Sequence, residues 1–235
     1  MMRLDKFLGN MGIGTRKEVK QLVKARAVTV DGVLVKDSGL SIDPDKADIR
    51  VYDEQVLYKP YIYLMMNKPP GVISATEDHR DKTVLDLLDA DVRHYDLHPV
   101  GRLDKDTVGL LLLTNDGDLT HRLLSPKKKV PKKYYAHVEG VVTEEDVAAF
   151  ARGVEIGEGY VTKPGELIIL ESAEVSKIEL IITEGKFHQV KRMFEAVEKK
   201  VVYLKRLEMA NLRLDETLSE GDYRELTEEE FKNLQ

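Results

Sequence analysis

The chain predicts an α+β protein in two parts, a small module over residues 1–58 and a larger domain over 60–235. Three observations carry this. Residues 1–35 set two short amphipathic helices before a hairpin signal. The stretch DEQVLYKP (residues 53–60) reads as a linker ended by Pro60. Beyond it, apolar or alternating strand-like runs (Tyr61–Met66, Leu110–Leu113, Val175–Ile182) mix with short helical stripes, the pattern of sheet and helices around one core.

In the first part, Leu4, Phe7 and Leu8 fall at helical spacing, and Gly12-Ile13-Gly14 breaks the helix. Thr15 followed by Glu18 is a capping-box pair that starts a second helix, with Val19, Leu22 and Val23 as its apolar stripe. Arg16, Lys17, Lys20 and Lys24 fall largely off that stripe. Val28-Thr29-Val30, Asp31-Gly32 and Val33-Leu34-Val35 spell a hairpin, because Asp-Gly suits the positive φ angles of a type I′ turn.

In the second part, Tyr61–Met66 reads as a buried strand stopped at Asn67-Lys68-Pro69-Pro70-Gly71, and Thr83–Leu88 as a short helix. Residues 89–98 are polar and irregular. His94 and His98 stand four apart, but no acidic partner accompanies them and Pro99 ends any helix, so no metal site is expected. Gly101-Arg102-Leu103-Asp104-Lys105-Asp106-Thr107-Val108-Gly109 is a charged turn feeding the apolar run Leu110–Leu113, which closes on Asn115-Asp116-Gly117. That run is too uniform for a surface strand, and Gly109 lets another backbone come close. On pattern alone Asp104 is either a solvated turn carboxylate or a functional group on a rigidly held loop. A helix through Leu119, Leu123 and Leu124 stops at Ser125-Pro126. A strand from Tyr134 to Val138, a helix over 143–152 and strands over 168–170 and 175–182 follow. Gly185 makes a turn before a helix with Val190, Met193 and Phe194 on one side. Thr227 and Glu230 cap a last helix, expected to pack on the domain edge.

Composition narrows the function. There is no cysteine, which excludes disulfides, thiolate metal sites and a cysteine nucleophile. No apolar span suits a membrane, so a soluble cytoplasmic protein is expected. The net charge is −6, but the cations are segregated. Residues 1–28 carry Arg3, Lys6, Arg16, Lys17, Lys20, Lys24 and Arg26 against Asp5 and Glu18. Residues 122–133 carry Arg122, Lys127, Lys128, Lys129, Lys132 and Lys133 with no acid, and residues 186–206 form a third basic segment. Three such segments on an acidic chain point to a phosphate-binding face. No Gly-rich phosphate loop, zinc cluster or dinucleotide fingerprint is present, consistent with a cofactor-free reaction.

The segment GRLDKDTVGLLLLTNDG resembles the catalytic segment of pseudouridine synthases, in the RsuA-type branch. Residues 2–39 closely resemble an S4-type RNA-binding domain, and Thr162-Lys163-Pro164 and the segment from Glu184 to Phe194 also match that branch. The resemblance covers nearly the whole chain. It implies a catalytic domain with a mixed, largely antiparallel sheet flanked by helices. It implies isomerisation of a uridine in 16S ribosomal RNA, the family's uridine 516, on naked RNA or within a small-subunit assembly particle. The same chemistry on 23S RNA and a non-catalytic RNA-binding or assembly factor are the alternatives. A monomer is expected, with no membrane partner.

The resemblance also assigns roles. Asp104 is the essential catalytic residue. The Lys-x-Tyr element places Tyr135 against the base, with adjacent Tyr134 leaving the register open by one residue. Lys186 is the cation expected to pair with Asp104 and keep it ionised. Arg102 is expected to enter the space vacated by a flipped base. Arg3, Lys6, Arg16, Lys17 and Lys20 are the expected phosphate contacts of the S4 module, and Lys68 is a further candidate RNA contact.

Overall fold

The computed structural model describes residues 1–234. Contacts divide the chain into two compact units, one of residues 1–62 with 88–97, the other of residues 63–87 with 98 onward. Among the described residues no helix is long and apolar enough to cross a membrane.

In the smaller unit, helices α1 (Leu4–Asn10) and α2 (Arg16–Lys24) precede four short antiparallel strands, β1 (Val28–Val30), β2 (Val33–Leu34), β3 (Ile49–Val51) and β4 (Glu54–Gln55), in the order β2-β1-β3-β4. The Thr15–Glu18 capping box forms, with the Thr15 amide donating to the Glu18 carboxylate at 2.7 Å. Asp31 and Gly32 both take positive φ, 52° and 78°, as the hairpin requires. Leu4, Phe7, Leu8, Val19, Val28 and Ile49 form the core, so the predicted stripes are the buried ones. Residues 88–97, read from the sequence as part of the larger domain, cluster with this unit instead. Val92 and Leu97 are buried there, and the His94 ring lies against Gly12, where a Cβ would collide with it.

The larger unit is built on a nine-stranded sheet. Its main strands and helices in chain order are β5 (Tyr63–Lys68), β6 (Val108–Thr114), α3 (Gly117–Leu124), β7 (Lys132–Glu139), α4 (Glu144–Arg152), β8 (Glu166–Glu171), β9 (Val175–Ile182), α5 (Gln189–Glu195), β10 (Lys200–Met209), β11 (Tyr223–Glu225) and α6 (Glu228–Lys232). The spatial order is β8-β9-β7-β10-β6-β5-β11. Every neighbouring pair on this path is antiparallel except β10 with β6, where Lys205 and Arg206 lie parallel to Val108 and Gly109.

That one parallel pair positions the site. All seven residues of β6 are buried, which explains their uniform apolarity, since a central strand covered on both faces has no outward side. Gly109 has φ 100°, and a Cβ there would strike the Arg206 backbone. The Arg206 side chain, itself buried, donates from Nε to the Leu110 carbonyl at 2.8 Å. The loop before β6 is therefore anchored on the middle of the sheet.

Strand β5 begins two residues later than the sequence suggests and continues through Asn67 and Lys68, which were read as a turn. Lys68 is compatible with a buried strand end because its ammonium is saturated by backbone carbonyls. The last helix packs as expected on the sheet edge: Phe231 lies 4.4 Å from Tyr63 between ring centroids, and Arg224 clamps Glu230 at 2.7 Å.

Candidate active site

The Asp104 loop is held from beneath by two side chains. The Ser74 hydroxyl accepts from the Leu103 amide at 3.0 Å and lies 3.1 Å from the Leu103 carbonyl, to which it donates. Lys68, 0% exposed, donates from Nζ to the carbonyls of Thr107 at 2.8 Å, Pro69 at 3.0 Å and Lys105 at 3.3 Å. Burial pulls the Lys68 pKa down to about 8, against the opposing pull of Asp106, Asp104 and Glu220. An ammonium enclosed this way contacts no solvent-borne ligand, so Lys68 fastens the loop and is not the RNA contact considered from the sequence. With the backbone fixed, the half-buried Asp104 carboxylate is presented to a cleft lined by Arg102, Tyr134, Lys186, His188 and Lys191.

The cation paired with Asp104 is Lys191, not Lys186. Lys191 Nζ stands 3.3 Å from Asp104 Oδ2 and bonds both oxygens of Asp106, at 2.7 and 2.9 Å. Burial lowers the Lys191 pKa, but Asp106 and Asp104 outweigh it and leave the ammonium above the usual lysine value. Burial likewise pushes Asp106 up, yet the Lys191 hydrogen bond holds it below the ordinary carboxylate range. Lys186 precedes α5 and turns away, its Nζ 4.6 Å from the centre of the Tyr160 ring. The correction has a helical cause. Val190, Met193 and Phe194 anchor α5 on the sheet, and this leaves Lys191, with its side chain only 19% exposed, at the edge that meets the loop.

The tyrosine of the cleft is Tyr134, not Tyr135. Tyr134 pairs across the sheet with Leu180 and Arg206, and is 7% exposed on the face bearing Asp104. Tyr135 points to the other face, where its hydroxyl lies 2.9 Å from His137 Nε2. A bulge fixes the register: β10 contributes an extra residue, Leu207, opposite the Lys133–Tyr134 step. The Lys-x-Tyr pattern fits Lys132-Lys133-Tyr134 as well as the triplet one residue on, so the sequence held both answers.

His188 is the neighbour that sequence reasoning missed. It takes a left-handed conformation, φ 49° and ψ 33°, just before α5, and its Nε2 lies 3.7 Å from Asp104 Oδ1. Phe187 stacks on it at 3.8 Å and is 72% exposed. No periodicity predicts a left-handed residue at a helix start; its place between the turn glycine Gly185 and the helical stripe from Val190 was the one signal.

Arg102 is exposed at the rim of the cleft. In the smaller unit Lys6, Arg16, Lys17 and Lys20 are exposed, and Lys6 and Arg16 border a concavity between α1 and α2. Arg3 differs: it forms a two-pronged pair with Asp5 at 2.7 and 3.0 Å, so its charge is already neutralised. His94 and His98 fall in different units, and the His98 Nε2 lies 2.9 Å from the Thr120 hydroxyl.

The RNA pseudouridylate synthase family model matches residues 62–196, which span this cleft, and the S4 domain model matches residues 2–46. The chain belongs to the RNA pseudouridylate synthase family. It is similar to an uncharacterized RNA pseudouridine synthase of Bacillus subtilis, 55% identical over 99% of this chain and 98% of that one. It is also similar to ribosomal small subunit pseudouridine synthase A of Vibrio cholerae (44% identical, 99% of both chains) and of Escherichia coli K12 (39%, 99% of this chain and all of that one). A crystal structure of a pseudouridylate synthase matches over the full length of both chains with a TM-score of 0.70 and 38% identity. The enzyme is thus an RNA pseudouridine synthase, an isomerase, with an S4 module ahead of its catalytic domain.

Proposed function

We propose that this synthase converts a uridine of ribosomal RNA to pseudouridine, with 16S RNA and its uridine 516 as the target. The observation that carries the reading is the convergence of Asp104, Lys191 and Tyr134 on one cleft, from a loop, a helix and a strand distant in sequence. The names of the Vibrio and Escherichia relatives support the small-subunit choice.

Isomerisation breaks the bond from C1′ to N1, turns the base, joins C1′ to C5, and moves one proton from C5 while N1 gains one. No group is added or oxidised overall, so a carboxylate and a proton carrier suffice. A uracil stacked in a helix cannot turn over, so the nucleotide is flipped out, and Arg102 at the rim fills the space it leaves. Asp104 serves the glycosidic step, by attack at C1′ or by taking the C2′ proton. Lys191 keeps a fixed positive charge beside it. Tyr134 packs against the base and is placed to assist transfer at C5. The exposed cations Lys6, Arg16, Lys17 and Lys20 of the S4 module meet phosphates, with Arg3 in a lesser part because Asp5 holds it. The protein works as a cytoplasmic monomer.

Tritium release from ribosomal RNA labelled at uridine C5 tests this. The parent releases tritium from 16S RNA, and Asp104→Asn lowers the rate by more than about a thousandfold while RNA binding persists. Release from 23S RNA alone would move the target, and undiminished release by Asp104→Asn would remove Asp104 from the chemistry.

A further inference from the structure

A second cavity adjoins the Asp104 cleft, and Gly185 and Lys186 line both. It encloses about 210 Å³, and its polar lining comes chiefly from Lys132, Lys163, Lys186, Tyr160 and Glu184. Lys132 opens β7 on the same face as Tyr134. Lys163 belongs to the Thr-Lys-Pro element, for which the isomerisation itself supplies no task.

The charges here do not cancel. Glu184 is the acid of the lining, and both its oxygens are committed. Oε2 accepts from the Tyr160 hydroxyl at 2.6 Å, and Oε1 from the Lys163 amide at 2.9 Å and Gln189 Nε2 at 2.8 Å. Among the described residues the close contacts of the three ammonium groups are to neutral groups, with the Glu184 charge felt at a distance. Lys132 Nζ donates to the Val130 carbonyl at 3.3 Å, Lys163 Nζ to the Pro126 carbonyl at 3.5 Å, and Lys186 Nζ lies over the Tyr160 ring. Two other lysines of this unit are paired with acids: Lys133 with Glu179 at 2.8 Å and Lys199 with Asp146 at 3.0 Å. Three cations around one saturated acid leave an excess positive charge in a concave, partly desolvated space, which calls for an anion.

We propose that this cavity binds a backbone phosphate of the RNA strand next to the uridine held at Asp104. The proposal rests on the synthase reading above. The shared wall of Gly185 and Lys186 puts the anion beside the reacting nucleotide, and a phosphodiester is small enough to reach ammonium groups arriving from three segments. Glu184 then has a structural part. By accepting from the Lys163 backbone it fixes that residue, with Pro164 stiffening the chain after it.

Acidity gives an independent handle. Burial and the charge of Arg206 pull the Lys132 pKa down to about 8, with Glu184 opposing. The ionisable groups around it are Arg206 from β10, Glu184 and Lys186 from the turn before α5, and Tyr160 and Lys163 from the segment before β8. A bound phosphate raises that pKa again, so complex formation takes up a proton. The electrostatic gain is complete below about 8 and declines as pH rises above it.

The test uses the full chain and a C5-tritiated ribosomal RNA fragment, reading binding against salt and pH, and tritium release at saturating RNA. Lys163→Gln and Lys132→Met are each expected to weaken binding about tenfold and to reduce the slope of log affinity against log salt by about 0.7. Their saturated rates stay within about threefold of the parent, and Lys132→Met flattens the fall in affinity above about pH 8. Lys163→Arg retains the slope. Lys177→Gln, whose lysine is paired with Glu171 at 2.6 Å, behaves as the parent and serves as control. Parental slopes and affinities in both neutral variants would overturn the proposal, as would slowed turnover with unchanged salt dependence. If the parent released no tritium yet the variants lost slope, the anion site would stand and the synthase reading would fall.

Discussion

Tyr134 and Tyr135 are neighbours in the chain and opposites in the molecule. Tyr134 is packed into the Asp104 cleft, whereas Tyr135 bonds His137 and meets Tyr203 edge-on at 6.3 Å on the far face of the sheet. Lys132 and Lys133 repeat the contrast. Lys133, on the face of Tyr135, is neutralised by Glu179, while Lys132, on the face of Tyr134, is half-buried, and desolvation and the Arg206 charge lower its pKa to about 8. The pleat of one strand thus sorts residues of the same type into two populations. One face closes its charges among its own residues. The other leaves them open toward a substrate, at a cost in desolvation.

The two candidate lysines give the largest test of that division. Lys191→Met is expected to slow tritium release at saturating RNA by about a hundredfold, as loss of a charged partner at the reacting group does. Lys186→Met stays within about threefold in the same assay, its effect appearing in affinity. A smaller effect is expected in stability. Gly109→Ala forces a side chain into φ 100° against the Arg206 backbone, and urea unfolding should show a loss of about 2 kcal/mol or more. Gly32→Ala, in a turn with open space around it, should lose less.

The smallest effect is pH-dependent and belongs to Lys68. Its folded pKa of about 8 lies below the ordinary 10.5, so the unfolded chain holds more protons between those values. Its contribution therefore makes stability rise with pH across that window. Comparing unfolding of the parent and Lys68→Met at about pH 7 and about pH 10 should show a gain confined to the parent. An equal response would mean that Lys68 is not buried in its charged form.

Much of this was legible in the sequence. The capping box at Thr15, the Asp31-Gly32 hairpin, the buried run through Leu113 and the close approach at Gly109 each follow from local chemistry, and the structure contains each of them. The errors came where a one-residue choice depended on the rest of the sheet. Lys-x-Tyr admits two registers, and the pairing of β7 with β9 and β10 decides between them. Lys186 and Lys191 both flank a predicted turn and helix. Which one reaches Asp104 depends on how Val190, Met193 and Phe194 seat α5, a tertiary matter. Residues 88–97 cluster with the smaller unit, where the His94 ring lies against Gly12, a contact that no local pattern announces.

The most direct measurement is single-turnover tritium release by Tyr134→Phe and Tyr135→Phe, side by side, on the same labelled RNA. Both substitutions keep the ring and remove only the hydroxyl, so the strand and its packing are preserved. With the chemistry on the Asp104 face, Tyr134→Phe is slowed by about tenfold or more and Tyr135→Phe stays within about twofold of the parent. The reverse order would contradict the account, because it would put the reacting base against the face that carries His137 and Tyr203.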